Sequence, residues 1–103
     1  MNKREGAAKL PIRHEEQGTR GAFVIERDGS ELARMTYVRA GETRIIIDHT
    51  EVSDALRGKG AGLQLVQAAV EWARASKLRI LATCPFAKAT LEKHPELHDA
   101  LER

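Results

Sequence analysis

The sequence predicts an α/β fold in which a mostly antiparallel sheet ends in one parallel β-α-β crossover, with helices packed on the sheet. Two observations predict it. Strand-like runs flank Asp28-Gly29, a strong hairpin turn dipeptide, which indicates antiparallel pairing in the first half of the chain. Later, the apolar run Ile45-Ile46-Ile47 is followed by a glycine-rich turn, a helical pattern over residues 63–76 and a further strand. That order makes a right-handed crossover between two parallel strands.

Length and composition predict one domain. With 103 residues, a division into two would leave neither part with an adequate core. The content of hydrophobic residues, 42%, and of charged residues, 31%, is typical of a globular chain. We expect a flexible N-terminus at residues 1–9 and a single domain at residues 10–103. No apolar run reaches the ~18 residues of a membrane span, and a single cysteine fits a reducing, cytoplasmic interior.

Five strands are predicted. They span residues 12–16, 22–27, 31–39, 43–52 and 78–84. The third alternates regularly, so that Ala33, Met35 and Tyr37 share one face. The fourth is the longest, and its three consecutive isoleucines predict a strand that is covered on both faces.

Three helices are predicted. The first, over residues 63–76, has an apolar face of Leu63, Val66, Ala69, Val70 and Ala73, which Leu65 and Trp72 widen. The second begins at Pro85, because the first turn of a helix suits proline, and ends at about Lys93. A short terminal helix is expected over residues 96–102.

The stretch Arg57-Gly58-Lys59-Gly60-Ala61-Gly62 carries the strongest chemical signal. Glycine lets backbone N–H groups approach a phosphate closely, and the first N–H groups of a helix have no partner inside the helix. Together with the helix dipole they form an anion site, to which Arg57 and Lys59 add positive charge. The spacing fits neither the P-loop nor the dinucleotide fingerprint. The alternative is a tight turn that binds nothing.

Arg57-x-x-Gly60-x-Gly62 resembles the Arg/Gln-x-x-Gly-x-Gly/Ala signature of the GNAT superfamily of N-acetyltransferases. Further features in the same order resemble the smallest members of that superfamily: residues 48–52, Cys84-Pro85-Phe86 and residues 93–96. The resemblance covers roughly residues 10–101. It implies a minimal GNAT-like fold that binds acetyl-CoA or coenzyme A and transfers the acetyl group to an amine.

The resemblance also implies a set of site residues. The cofactor-binding residues would be Val52, Arg57, Gly58, Lys59, Gly60, Ala61, Gly62, Cys84, Phe86 and Lys88. The pantetheine arm would lie between the ends of the two parallel strands, near Val52 and Cys84, where the strands part in this family. For Lys88 a solvated helix lysine is the alternative.

Two side chains are candidates for catalysis. Cys84 precedes a proline-led helix, whose unpaired N–H groups stabilise a thiolate. It is a nucleophile that forms an acetyl-cysteine intermediate, a lining residue of the acetyl pocket, or a buried structural cysteine. His49 is a candidate base on the same strand face as Glu51, or a histidine with a structural hydrogen bond. The family's usual tyrosine is missing, since Tyr37 lies on an earlier strand.

Other interpretations stay open. The missing tyrosine and the short stretch before the first strand favour a non-catalytic coenzyme-A-binding module, or a subunit whose protein partner completes the acceptor site. The amine acceptor is not identified. Few aromatic residues, 4%, and a net charge of +2 argue against a nucleic-acid partner. Pro95 interrupts the helix between His94 and His98 and no third ligand is evident, which argues against a metal site.

Overall fold

A computed structural model describes residues 10–101, which form a five-stranded sheet with two α-helices and two 3₁₀ turns. The strands are β1 (Ile12–Gln17), β2 (Arg20–Arg27), β3 (Ser30–Arg39), β4 (Arg44–Val52) and β5 (Arg79–Ala82). The helices are α1 (Ala61–Ser76) and α2 (Pro85–Lys93), and the 3₁₀ turns are Asp54–Leu56 and Pro95–Ala100. The N-terminal segment expected to be flexible, residues 1–9, lies outside the described residues.

The strands follow each other across the sheet in chain order. Each pair from β1 to β4 is antiparallel, and β4 pairs with β5 in parallel through the crossover helix α1. This arrangement confirms the predicted mixed sheet with one parallel pair. Within residues 10–101, no helix has both the length and the apolar character needed to cross a bilayer.

The core lies between the sheet and α1. Alternate residues of β3 face the helix, and Ala33, Met35 and Tyr37 are buried as the alternation predicts. On β4, Ile45 and Ile47 are fully buried on that same face. The isoleucine between them points to the other face and is only partly buried, so the prediction that the strand is covered on both faces was wrong for Ile46.

A β-bulge in β4 changes which face its later residues occupy. Tyr37 pairs with Ile47 and Thr36 pairs with His49, so that Asp48 has no cross-strand partner. The Thr36 hydroxyl donates to Oδ1 of Asp48 at 2.6 Å, which fixes the bulge. An extra residue shifts the alternation of a strand by one. After the bulge, Thr50 and Val52 therefore lie on the α1 face, opposite Met35 and Ala33.

An aromatic cluster of His14, Phe23, Tyr37 and Trp72 closes the α1 face over β1 to β3. His14 stacks on Phe23 with a ring separation of 4.2 Å, and Trp72 of α1 lies 5.2 Å from Tyr37. His14 Nε2 and the Tyr37 hydroxyl are hydrogen-bonded at 2.6 Å. A Cβ on Gly21 would lie 2.2 Å from the Tyr37 ring, so glycine is needed there for space.

Several predicted boundaries differ from the structure. β5 ends at Ala82 and not at Cys84, because the strands diverge there. Helix α1 begins two residues earlier than predicted, and Leu63 is half-buried near its start and not part of the enclosed core. The expected terminal helix is a 3₁₀ turn that ends at Ala100, and position 102 lies outside the described residues.

Candidate functional site

β4 and β5 pair only over their first halves and then separate. The parallel ladder runs from Arg44 to Ile47 on β4. At its end the amides of Thr83 and Cys84 both donate to the Ile47 carbonyl, at 2.9 and 3.2 Å, which leaves no amide to continue the ladder. β4 itself continues to Val52 and pairs there with β3 alone. Its edge over residues 48–52 is therefore open on the β5 side.

The chain that leaves this open edge is folded into a compact turn. The Ser53 hydroxyl caps the 3₁₀ turn by accepting from the Ala55 amide at 3.1 Å, and Leu56 is 1% exposed and anchors the turn in the core. Gly58 and Gly60 follow with φ angles of +77° and +68°. A Cβ at either position would meet open space, so glycine is required there by the left-handed backbone and not by crowding.

Helix α1 begins with unsatisfied backbone amides. Gly60 is its N-cap residue and supplies no side chain to cap it, and the first turn holds no acidic residue. The first intrahelical bond is donated by the Gln64 amide to the Gly60 carbonyl at 3.0 Å. The amides of residues 61–63 precede that bond and point out of the helix end. Such an end attracts an anion.

The helix end opens into a cleft of about 380 Å³ between α1 and α2. Its lining comprises Val52, Leu56, Arg57, Gly58, Gly60, Ala61, Gly62, Leu63, Phe86, Thr90, Lys93 and His94. Val52 is 39% exposed and Phe86 is 43% exposed, and these are two of the three large exposed hydrophobic residues in the described part of the chain. The cleft thus offers apolar side chains beside an anion-binding helix end.

Most of the predicted loop residues lie together in this cleft, but two predicted lysines do not line it. Lys59 belongs to the same turn without lining the cleft, and Lys88 lines a separate cavity with Leu81 and Leu101. Lys93 of α2 does line the cleft, although it was not predicted there from the sequence. Its spacing from Phe86, seven residues on the same helix face, is the signal that could have found it.

Gly62 joins the two helices. A Cβ at this position would lie 2.2 Å from Cζ of Phe86. The glycine of the motif therefore lets the start of α2 approach the start of α1. This contact holds Phe86 at the mouth of the cleft and gives Gly62 a packing role, whatever the cleft binds.

Cys84 lies between the separated strands. It is 5% exposed and is the N-cap residue of α2. Its thiol donates to the hydroxyl of Thr50 at 3.4 Å, across the gap where the ladder has ended. The two side chains therefore mark the inner end of the open edge.

His49 faces the opposite side of the sheet. Neighbouring residues of a strand point to opposite faces, so His49 points away from Thr50 and from the gap that Cys84 lines. Its Nε2 lies 3.2 Å from a carboxylate oxygen of Glu51, and both side chains are largely exposed. The predicted shared face of His49 and Glu51 is confirmed. The other candidate catalytic residue, Cys84, contacts Thr50, whose side chain lies on the opposite face of β4 from His49.

Tyr37 does not reach the cleft. It is 1% exposed within the aromatic cluster. Burial raises its pKa far above the ordinary range for tyrosine, and the Glu16 carboxylate adds to the effect. A phenol held in this way is unsuited to give up a proton to a reacting group in the cleft.

The charged side chains around the cleft have only weak partners. Arg57 donates to Asp54 at 2.8 Å, and the two side chains are 78% and 90% exposed. An exposed pair of this kind contributes about 0–1 kcal/mol, so that Arg57 can turn to another anion at little cost.

The two histidines near the end of α2 are both engaged with protein groups. His94 pairs with Glu96 at 3.3 Å, and His98 is hydrogen-bonded to the Leu91 carbonyl. Residues 10–101 hold no group of three metal-ligating side chains.

Most of this chain matches a known protein family and curated relatives. A family model described as GCN5-related N-acetyl-transferase matches residues 22–100. Protein NATD1 of Bos taurus is 33% identical over 94 residues, which are 90% of this chain and 82% of the bovine protein. The residues that the family model matches include the glycine-rich turn, β4, β5 and α2.

Solved structures share the fold. A GCN5-like protein of Staphylococcus aureus, determined by NMR, has a TM-score of 0.71 at 40% identity, over 92% of this chain and 90% of that one. A ribosomal-protein-alanine N-acetyltransferase of Brucella melitensis has a TM-score of 0.63 over 76% of this chain and 64% of that one. At 17% identity this second likeness shows the fold alone.

Proposed function

This chain belongs to the GCN5-related N-acetyltransferase family, and on that premise we propose that it binds acetyl-CoA and transfers the acetyl group to an amine. One observation carries the proposal. The unsatisfied amides at the start of α1 share a cleft with the end of the open β4 edge. An anion site beside an unpaired strand edge suits a ligand that has both a diphosphate and an extended amide-containing arm.

We place the parts of the ligand as follows. The diphosphate lies against the amides of residues 60–63, with Arg57 and Lys93 as nearby cations. The pantetheine arm follows the open edge of residues 48–52 and pairs with its free backbone groups. Val52 and Phe86 cover the apolar part of the arm, since both are exposed in the cleft without it. The thioester then reaches the gap between Thr50 and Cys84.

The proposed reaction is direct attack of the amine on the thioester carbonyl. The C–N bond forms, the C–S bond breaks, and the departing thiolate takes up a proton. A free amide of the β4 edge donates to the carbonyl oxygen as charge develops on it. His49 is the proposed base, in which case the amine approaches from the face of β4 that carries His49 and Glu51.

The binding site is tested with Gly60→Asp. A carboxylate at the N-cap would stand where the diphosphate binds, and we expect it to abolish binding of coenzyme A. Gly29→Asp is the matched control, because Gly29 also has a positive φ and lies in an exposed turn away from the cleft. Thermal unfolding measures the result, since a ligand at ~100 times its dissociation constant adds about 2.7 kcal/mol of stability. Equal stabilisation of both variants would contradict the site.

A covalent route through Cys84 is tested separately. Acetyl transfer to the thiol would form a new thioester, release coenzyme A and add one acetyl group to the protein mass. Intact-protein mass spectrometry after incubation with acetyl-CoA detects that adduct, and Cys84→Ala is the control. If the amine is acetylated while wild-type protein carries no adduct, the direct route stands and Cys84 is not the nucleophile.

A non-catalytic coenzyme-A-binding module is the second candidate. The sealed position of Tyr37 favours it, as does Phe86, which brings no hydroxyl to the first turn of α2. A panel of amines with acetyl-CoA separates the two candidates. Binding of coenzyme A without acetylation of any amine would support the module, and a protein partner would then be needed to complete an acceptor site.

A further inference from the structure

We propose that Gln64 is a positioning residue for the diphosphate site, and that it connects this site to the start of β1. The inference rests on the proposed function, because it concerns how the coenzyme A site is held in shape. Gln64 lies in the first turn of α1, and its side chain is half-buried behind the glycine-rich turn.

Within residues 10–101, hydrogen bonds connect Gln64 both with the glycine-rich turn and with the segment just before β1. Its backbone amide donates to the Gly60 carbonyl at 3.0 Å. Its side-chain Nε2 donates to the Lys59 carbonyl at 3.4 Å. Its side-chain Oε1 accepts from the backbone amide of Leu10 at 2.7 Å. Gln64 therefore contacts two successive carbonyls of the turn and one segment far away in sequence.

The contacts with the two carbonyls orient the amides on the other side of the same peptide planes. In a trans peptide the C=O and N–H groups point in opposite directions. A Lys59 carbonyl directed at Gln64 thus turns the Gly60 amide away from Gln64. A Gly60 carbonyl directed into the helix turns the Ala61 amide out of the helix end. Both amides belong to the proposed diphosphate site. The Gln64 side chain aims the Gly60 amide, whereas the Ala61 amide is aimed by a backbone bond that any residue at position 64 would make.

Such control matters because the turn is rich in glycine. Gly58 and Gly60 have no side chain to restrict their backbone, and glycine populates left- and right-handed conformations about equally. A turn of this kind loses considerable entropy when it is ordered around a ligand. Hydrogen bonds that order it before the ligand arrives reduce that cost.

The contact with Leu10 determines which way the Gln64 side chain faces. Only its oxygen can accept from the Leu10 amide, which leaves the NH₂ group to donate to Lys59. Leu10 and Ile12 in turn pack against the hydrophobic core, where they line a cavity of about 310 Å³ with Gln64 and Gln67. The start of β1 therefore supports the turn through one side chain.

Gln67 provides a matched control. It lies one turn further along α1, is also half-buried and lines the same cavity. Within residues 10–101 its side chain makes no hydrogen bond to the glycine-rich turn. Removal of either glutamine side chain should affect packing in the cavity similarly, whereas only Gln64 should affect the amides of the turn.

The experiment measures the dissociation constant for coenzyme A by calorimetry in wild-type, Gln64→Ala and Gln67→Ala full-length protein. We expect Gln64→Ala to bind about three- to tenfold more weakly, the size expected for one or two lost hydrogen bonds. Gln67→Ala should bind like wild type. Equal affinity of the two variants would overturn the inference, and failure of wild type itself to bind would instead overturn the proposed function.

A second measurement distinguishes positioning from general stability. Inorganic pyrophosphate is added to isotope-labelled protein, and the amide resonances of Gly60 and Ala61 are followed by NMR. Both should shift in wild type and in Gln67→Ala. In Gln64→Ala the Gly60 resonance should shift much less, although the variant without ligand unfolds at the same temperature as Gln67→Ala. A full shift of the Gly60 resonance in Gln64→Ala would show that this amide is aimed without the side chain and would overturn the inference.

Discussion

Gly21 and Gly62 both lie against an aromatic ring, but in opposite surroundings. A Cβ on either glycine would come within 2.2 Å of the ring. At Gly21 the ring belongs to Tyr37, which is 1% exposed and hydrogen-bonded to His14. At Gly62 the ring belongs to Phe86, which is 43% exposed at the mouth of the cleft. The same close contact thus occurs once in a sealed region and once in an open one.

This difference shows how the small chain separates stability from binding. Around the aromatic cluster, the Tyr37 hydroxyl is hydrogen-bonded to His14, and β1 pairs with β2 along its whole length. Around the cleft, amides are unsatisfied, two glycines are left-handed and apolar side chains are exposed. Departures from the rules of stable folding are expected where a protein binds something. In this chain the unsatisfied amides at the start of α1 lie beside two exposed hydrophobic side chains, Val52 and Phe86, in one cleft.

The largest expected effect comes from alanine at the two glycines. Gly21→Ala should lower the free energy of unfolding by about 1–3 kcal/mol, because the Tyr37 ring has no space to move. Gly62→Ala should cost less stability, since Phe86 can swing outward, and should instead impair binding of coenzyme A. Denaturant unfolding and calorimetry measure the two quantities. Equal losses of stability would mean that the cleft is as tightly packed as the aromatic cluster.

A smaller effect should appear as pH dependence. Burial lowers the pKa of His14, against an opposing contribution from Glu16. In the unfolded chain a histidine titrates near pH 6.5. As the pH falls below about 6.5, the unfolded state takes up this proton before the folded state does, and the free energy of unfolding decreases. The His14 contribution is fully present above that pH.

The pH effect is measured by denaturant unfolding between about pH 7.5 and 5. His14→Gln should reduce the pH dependence of the free energy of unfolding, because the group that titrates differently in the two states is removed. Some dependence should remain, because the other three histidines are still present. An unchanged slope would mean that the aromatic cluster does not resist protonation of His14. Burial in the cluster would then not lower the pKa of His14.

The smallest effect on stability is expected at Arg57. Its pair with Asp54 is exposed, so Arg57→Ala should change the free energy of unfolding by less than about 1 kcal/mol. Binding of coenzyme A should nevertheless weaken, and more strongly at low than at high ionic strength, because a cation near the diphosphate is lost. Calorimetry at two salt concentrations measures this. Unchanged affinity at low salt would remove Arg57 from the site.

Local signals in the sequence were enough to predict the fold and the glycine-rich turn. Asp28-Gly29 predicted the hairpin between β2 and β3, the alternation in β3 predicted which residues are buried, and Pro85 predicted the start of α2. The glycines of the turn could be interpreted because their left-handed conformations follow from their own chemistry. Each of these signals depends on residues close together in the chain.

What the sequence could not predict depends on contacts between distant residues. The bulge at Asp48 is fixed by Thr36 on another strand, and the residues adjacent to Asp48 in the sequence do not predict it. The divergence of β4 and β5 was expected only from the family resemblance, because it depends on two amides that share the Ile47 carbonyl. The cleft side of α2 depends on how that helix crosses α1 at Gly62. Lys93 therefore lines the cleft, whereas Lys88 lines a separate cavity.

The bulge at Asp48 determines which later side chains of β4 face the cleft. Were Asp48 instead paired with Thr36 in a regular ladder, each later side chain of β4 would change sides. His49 and Glu51 would then project toward the crevice beneath α1, and Thr50 and Val52 would project outward. A lineage that kept Asp48 but lost the bulge could keep its sheet, its turn and its helices, and would present an acid–imidazole pair to the ligand arm in place of a hydroxyl and a valine.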